Sequence, residues 1–371
     1  MSLSSYLVKK VRSIMKIVVN DVVATPADGG AYSILQDFYH SVEYKNDGNE
    51  WYFIVSGPFL ASKPNIHIIK KPELKTSKTK RLSFELFTGR RLINKINPDI
   101  YFSLQNTPTF GIKAKQFVYL HQPLNFVLSQ HKFRFTVAHE RRLAIYQRVF
   151  GRVINAMLKK SPAQVIVQTQ WLKKELVQRK IKASQNITVI TPDVEIPAIY
   201  RVDQLDRAFC YPASPIAYKN HKMIVEVVRR LVEAGITDFK FYLTISEKEL
   251  MDLGINNVPS QVICLGRIER NRVYSLLTKS ALVFASSIET FGLPLLEART
   301  IGTKIFSTNI PPAKEALDGY RNVVFFKPND VDQLQQLMSQ WLAGSQKISA
   351  DTVKKTNPSR NQNLAEFLIG G

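Results

Sequence analysis

The chain has 371 residues, 45% hydrophobic and 22% charged, and carries 51 Lys/Arg against 30 Asp/Glu for a formal net charge of +21. That length anticipates two domains, each able to bury its own core, and the ordinary composition excludes collagenous, low-complexity and broadly disordered classes. No apolar run approaches the roughly 20 residues that cross a bilayer and no secretory leader is visible, so neither a spanning nor an exported protein is expected.

Taken in chain order, short runs of β-branched and aromatic residues alternate with amphipathic segments. The opening M-S-L-S-S-Y-L-V-K-K-V-R-S-I is basic and weakly amphipathic, suited to a surface rather than a span. K-I-V-V (16–19), W-Y-F-I-V-S (51–56), I-H-I-I (66–69), D-I-Y-F-S (99–103), Q-F-V-Y-L (116–120), A-Q-V-I-V-Q (163–168) and I-T-V-I (187–190) read as a first series of strands. A-F-C-Y-P-A (208–213), F-K-F-Y-L-T (239–244), V-I-C-L-G (262–266), A-L-V-F-A-S (281–286), K-I-F-S (304–307) and V-V-F-F (323–326) form a second. Helical periodicity fills 81–97, 137–160, 170–179, 221–234, 270–279 and 330–342. Strands alternating with helices predict parallel sheets of βαβ units, and continuous apolar runs predict strands buried on both faces. Cys210 and Cys264 fit no zinc or redox spacing and are expected to be reduced, buried thiols.

The rhythm breaks at T-P-D-V-E-I-P-A-I-Y-R-V-D-Q-L-D (191–206), a stretch of two prolines and four acids. Charge changes there too. Residues 1–190 hold 30 Lys/Arg and 11 Asp/Glu, a net +19, which leaves 21 and 19, a net +2, for the remainder. The expected organisation is α/β, with two doubly wound, Rossmann-like domains (1–195 and 196–349) across a cleft, then a polar tail (350–371) whose apolar end is expected to dock back on the first domain. The uneven charge points to an anionic partner for the first half. Nucleic acid is not expected, since no helix-turn-helix, zinc-finger or aromatic RNA-binding signature accompanies the charge.

The most informative stretch is S-S-I-E-T-F-G-L-P-L-L-E-A-R-T-I-G-T (286–303), with Glu289 and Glu297 eight positions apart around Phe-Gly-Leu-Pro. Pro294 suits the first turn of a helix, which places Glu289 in the preceding loop and Glu297 in the first turn. Amides of Thr290, Phe291, Gly292 and Leu293 at a helix N-terminus suit phosphate. Two surface glutamates favoured by the helix dipole is the alternative reading of the same residues.

The run 281–303 resembles the E-x7-E signature of retaining GT-B glycosyltransferases, family 4, in the group that builds bacterial capsule, O-antigen and exopolysaccharide. The resemblance extends to V-Y-L-H-Q-P (118–123), V-I-V-Q-T-Q-W-L-K-K-E-L (165–176), Y-P-A-S-P-I-A-Y-K-N-H (211–221) and C-L-G-R-I-E-R-N-R-V-Y-S-L-L-T-K-S-A-L-V-F (264–284). It implies that Glu297 binds ribose hydroxyls and Glu289 the donor sugar on its reacting side. Thr290, Phe291, Gly292 and Leu293 would line sugar and diphosphate, Lys219 would neutralise the leaving diphosphate, and Gly266, Arg267 and Ile268 would flank the base. His121 would face the donor sugar from the first domain, and Gly29 and Gly30 would form a loop near phosphate and acceptor. Read without the resemblance, Asp28-Gly29-Gly30 is an ordinary turn, since a dinucleotide fingerprint needs G-x-G-x-x-G. One departure matters: Ser214 stands where the family pattern has arginine, so His221 or Arg267 is expected to supply the second cation, or it is missing.

The resemblance further implies a metal-independent, cofactor-free transferase that takes a nucleotide sugar, UDP favoured, and a glycan or polyprenyl-diphosphate-linked acceptor. It would be cytoplasmic, at the inner face of the membrane, with basic helices at 133–160 and 81–95 on the anionic leaflet. Ordinary amphipathic helices with solvated basic faces are the alternative. A sugar-nucleotide epimerase on the same fold and a non-catalytic nucleotide-sugar-binding subunit are the rival functions.

Overall fold

The computed structural model describes residues 14–26, 29–45, 47–128, 131–138, 140–194, 196–202, 204–344 and 363–370. The basic opening segment through residue 13, Asp28 and the polar tail from 345 to 362 lie outside the described residues. The chain divides into two compact units. One comprises Met1–Leu120, Lys160–Val165 and Leu364–Gly371; the other comprises His121–Lys159 and Ile166–Asn363.

The first sheet is built by β1 (Lys16–Asp21), α1 (Gly29–Lys45), β2 (Glu50–Val55), β3 (Ile66–Lys70), α2 (Pro72–Thr76), α3 (Lys78–Ser83), α4 (Gly89–Ile96), β4 (Ile100–Ser103), β5 (Lys115–Leu120), α5 (Arg141–Ile145), α6 (Gly151–Lys160), β6 (Gln164–Val167), α7 (Gln170–Gln178) and β7 (Ile187–Val189). Its strand order is β3-β2-β1-β4-β5-β6-β7. The second sheet follows with β8 (Ala208–Tyr211), α8 (His221–Glu233), β9 (Lys240–Leu243), α9 (Glu247–Asp252), β10 (Val262–Cys264), α10 (Arg270–Leu277), β11 (Ala281–Phe284), α11 (Leu293–Ile301), β12 (Ile305–Thr308), α12 (Pro311–Ala316), β13 (Val323–Phe326) and α13 (Val331–Ala343). A last helix, α14 (Leu364–Gly370), belongs to the first unit, where Phe367 meets the Phe117 ring edge-on with 5.6 Å between centroids.

The second sheet orders its strands β10-β9-β8-β11-β12-β13, again with the first strand of the series at the centre. Parallel registers hold each centre: Ile17 lies opposite Trp51 and Ile100, and Leu282 opposite Cys210 and Ile305. This is the doubly wound arrangement in which successive strands are added outward in one direction, then in the other. Its crevice lies where the direction reverses, between β1 and β4 and between β8 and β11. All thirteen expected strands are present, and the central ones, β4, β8, β11 and β12, are buried throughout.

Four expectations need correction. Edge strands β3, β10 and β13 are only partly buried, because an edge lacks a neighbour on one side. Cys210 is buried in β8, but Cys264, on edge strand β10, is half-buried. The two long basic helices are each interrupted by a wider π-helical turn, at Phe84–Thr88 and Tyr146–Phe150, where the amides of Gly89 and Gly151 reach back to Phe84 O and Tyr146 O. A Cβ at Gly89 would lie 2.6 Å from Phe84 O, and one at Gly151 would lie 2.4 Å from the Cβ of Asn125. Finally, Gly29 and Gly30 open α1 rather than a free loop.

Candidate active site

Three of the loops that leave the carboxyl ends of second-sheet strands carry residues of the sequence motifs. β8 runs into Ser214 and a 3-10 turn over Ala217–Lys219; β10 into Gly266; β11 into the segment ending at Gly292. Asn220, in the left-handed region at φ 61°, turns the chain from Lys219 into α8. The β8 and β11 loops are tied directly. The carbonyl of Tyr218 accepts the amide of Ser287 at 2.9 Å and its hydroxyl at 3.2 Å. Ser286 O accepts the Thr308 hydroxyl at 2.6 Å, which anchors the β11 loop to β12.

That backbone clamp holds Lys219 against Glu289, 70 residues away in sequence. The Lys219 Nζ donates to Glu289 Oε1 at 2.5 Å, and the two side chains are only 17% and 11% exposed. The Tyr218 ring lies beneath the same ammonium at 5.6 Å. Burial, then the negative charge of Glu289, pushes the Tyr211 and Tyr218 phenols up.

Gly292 takes φ 94°, ψ 73° and caps α11, whose second residue is Pro294; helical hydrogen bonding begins with Leu295 N to Gly292 O at 2.9 Å. Only glycine adopts this conformation readily, and a Cβ there would sit 3.1 Å from both Leu295 Cδ1 and Phe284 Cζ. Phe291 turns its ring into the core, at 2% exposure, so only its backbone is available to a ligand. Thr290 donates its hydroxyl to the carbonyl of His121 at 3.4 Å, which brings His121 to the start of α11 within one unit. Ile288 packs with Leu124, Val127, Phe133 and Ala144 to fix that approach.

Glu297 is the fifth residue of α11, just past the first turn in which it was expected, because the helix begins at Leu293. Its carboxylate is nearly buried and accepts from Arg270 Nε at 3.1 Å. Arg270 opens α10, and the sequence motifs do not single it out; the arginine three residues after Gly266-Arg267 is the only signal they offer. Arg267 itself is exposed, and Gly266 takes φ 65° with open space at its Cβ position. Ile268 is half-buried beside them.

His221 does not supply the cation that Ser214 lacks. It lies buried in the first turn of α8 against the Tyr211 ring, and burial, then the charge of Lys219, pushes its imidazole down to about 4. It is neutral near pH 7. Gly29 and Gly30 lie in the other unit.

Residues 193–357 match the family model described as "Glycosyl transferases group 1". Three solved structures share the fold over nearly the whole chain. Sucrose-phosphate synthase from Thermosynechococcus elongatus is 14% identical, with TM-score 0.66, covering 89% of this chain and 90% of its own. WaaG, a glycosyltransferase involved in lipopolysaccharide biosynthesis, is 15% identical with TM-score 0.66, covering 89% and 91%. HepE of Anabaena, in complex with UDP and glucose, is 14% identical with TM-score 0.62, covering 90% and 91%. No curated protein matches the sequence. The fold is therefore that of the GT-B glycosyltransferases, two α/β sheets of parallel strands with interleaved helices.

Proposed function

We propose that the chain is a retaining glycosyltransferase that moves a sugar from a nucleotide sugar to a glycan or lipid-linked glycan in bacterial surface polysaccharide synthesis. The observation that carries this reading is the Lys219–Glu289 pair beside the Gly292-capped start of α11, within the segment that matches the transferase family. Lys219 and the amides of 290–293 bind the diphosphate, Glu289 takes the donor sugar, and Glu297, held by Arg270, takes the ribose. Gly266, Arg267 and Ile268 flank the base, Ser214 lies on the diphosphate side, and His121 borders the sugar. Gly29 and Gly30 serve phosphate and acceptor.

In the transfer, the bond from anomeric carbon to diphosphate oxygen breaks and a bond to the acceptor hydroxyl oxygen forms on the same face. The hydroxyl proton passes to the departing phosphate oxygen. Charge develops on that phosphate, where Lys219 and the backbone dipoles are already oriented, so the protein contributes positioning and electrostatics without a metal. UDP is the favoured nucleotide, in keeping with the UDP and UDP-glucose held by HepE, the structural neighbour.

The acceptor side belongs at an anionic membrane leaflet, with the protein peripheral on its cytoplasmic face. Along 141–160, Ile145, Val149 and Val153 are exposed at 37%, 52% and 40%, one helical turn apart. Arg141, Arg142, Arg152, Lys159 and Lys160 are exposed beside them, and the stretch contains no acid. An apolar ridge flanked by cations suits an interface in which each basic residue contributes ~1 kcal/mol. Among the described residues no helix is long and apolar enough to cross a membrane.

A thermal-shift panel of nucleotide sugars, followed by nucleotide release with the best of them, tests the proposal. A stabilising UDP-sugar whose turnover is abolished by Glu289→Ala is expected. Absence of both stabilisation and release across the panel would refute it.

A further inference from the structure

Lys219 faces an anion that the chain itself supplies. Its ammonium and the Glu289 carboxylate lie in contact at 2.5 Å, and both side chains are largely withdrawn from water. Among the described residues no second acid pairs with Lys219, and no second cation pairs with Glu289. The neighbours reinforce this balance rather than relieve it. Tyr211 and Tyr218 stay as neutral phenols, His221 as neutral imidazole, and Ser214 carries no charge. The pair is thus a locally neutral unit, set at the crevice between β8 and β11.

A diphosphate brought to Lys219 meets Glu289 on the same nitrogen. Two anions sharing one ammonium in a half-buried site repel each other, and among the described residues Glu289 has no second ion-pair partner to lessen the conflict. Resting on the functional reading above, we propose that Glu289 is the built-in counter-ion of Lys219, exchanged for the donor's diphosphate when it binds. Exchange does two things at once. It transfers the ammonium to the group that will leave, and it releases the carboxylate toward the sugar, where it is needed only when a donor is present. The free site stays neutral, so simple anions compete poorly: they must displace a carboxylate and offer nothing for it to bind afterwards. A sugar diphosphate replaces the lost contact with sugar hydroxyls.

The consequence is an inversion of the usual mutational pattern. Glu289→Gln, nearly isosteric and neutral, removes the competitor, and binding of inorganic pyrophosphate and of UDP is expected to tighten on the order of tenfold, even as transfer from UDP-sugar falls. Lys219→Met abolishes that tightening in the Glu289→Gln background, because both anions compete for the one ammonium. Calorimetric titration of the full chain with pyrophosphate and UDP, for wild type, Glu289→Gln, Lys219→Met and the double variant, reads the effect; melting curves confirm that each is folded. Tighter binding by Glu289→Gln that depends on Lys219 supports exchange. Unchanged or weaker binding overturns it while leaving the transferase reading intact, provided wild type binds UDP. If neither wild type nor Glu289→Gln binds UDP or pyrophosphate, exchange and the transferase reading fall together.

Discussion

Gly292→Ala tests whether the start of α11 is held by backbone conformation, by packing, or by both. At φ 94° a Cβ-bearing residue pays for left-handed backbone, ~1–2 kcal/mol. The added methyl also meets Leu295 Cδ1 and Phe284 Cζ at 3.1 Å. Leu295 and Phe284 are 0% and 1% exposed, so neither can swing aside without disturbing the core, and overpacking of this kind costs roughly 1–3 kcal/mol. Gly302, at the other end of the same helix, supplies the control: its φ is 93°, yet nothing lies within 4 Å of its Cβ position. Gly302→Ala should therefore cost the backbone part alone, and Gly292→Ala about 2–5 kcal/mol in total. Native-state hydrogen exchange of amides in β11 and α11 reads both, because it reports opening of that region without assuming that the two units unfold together. Equal destabilisation by the two substitutions would refute the packing argument, and a larger effect at Gly302 would refute the whole account. Since 290–292 lead into the helix and Leu293 opens it, Gly292→Ala should also weaken nucleotide-sugar binding, whereas Gly302→Ala should not.

Glu85 is buried in the first π-helical turn, where Thr107 donates to it at 2.7 Å, and burial raises its carboxyl to about 7. The folded chain keeps that proton to near pH 7, while the unfolded chain releases it near the ordinary value of 4.5, so stability falls as pH rises between the two. The loss is on the order of 3 kcal/mol, and Glu85→Gln, which retains the acceptor oxygen, should flatten the dependence; parallel melting-temperature slopes for the two proteins from pH 5 to 8 would contradict this. On the basic ridge, Val149→Asp with Val153→Asp should reduce recovery with anionic vesicles about tenfold or more, through lost apolar insertion and added repulsion. Equal pelleting of variant and wild type would remove the ridge from the membrane proposal.

Much of the scaffold was legible because parallel strands buried on both faces leave little choice of residue. V-I-V, A-L-V-F and I-F-S are rich in β-branched and aromatic residues, and the structure buries every position of these runs; helices of 3.6-residue periodicity fill the intervals between. The start of α11 was legible for an equally local reason, since glycine followed by a proline restricts the backbone by itself. Its exact first residue was not, which moves Glu297 just past the first turn. The π-helical turns were not legible: they depend on how closely Gly89 approaches Phe84 and Gly151 approaches Asn125, contacts that no periodicity encodes.

Residue types at the site could be named from sequence, but their partners could not. Glu289 and Glu297 are both glutamates after apolar residues, yet one meets Lys219, in the 3-10 turn after β8, and the other Arg270, at the start of α10 after β10. His221 is a candidate cation in the sequence, and its burial against Tyr211 makes it neutral. Local backbone preference and side-chain burial act over a few residues, so a linear sequence carries them openly. Electrostatic partnership is settled by the order of strands in the sheet. Placing β8 beside β11 brings positions 219 and 289 to one crevice, and that juxtaposition alone turns a lysine and a glutamate into a pair.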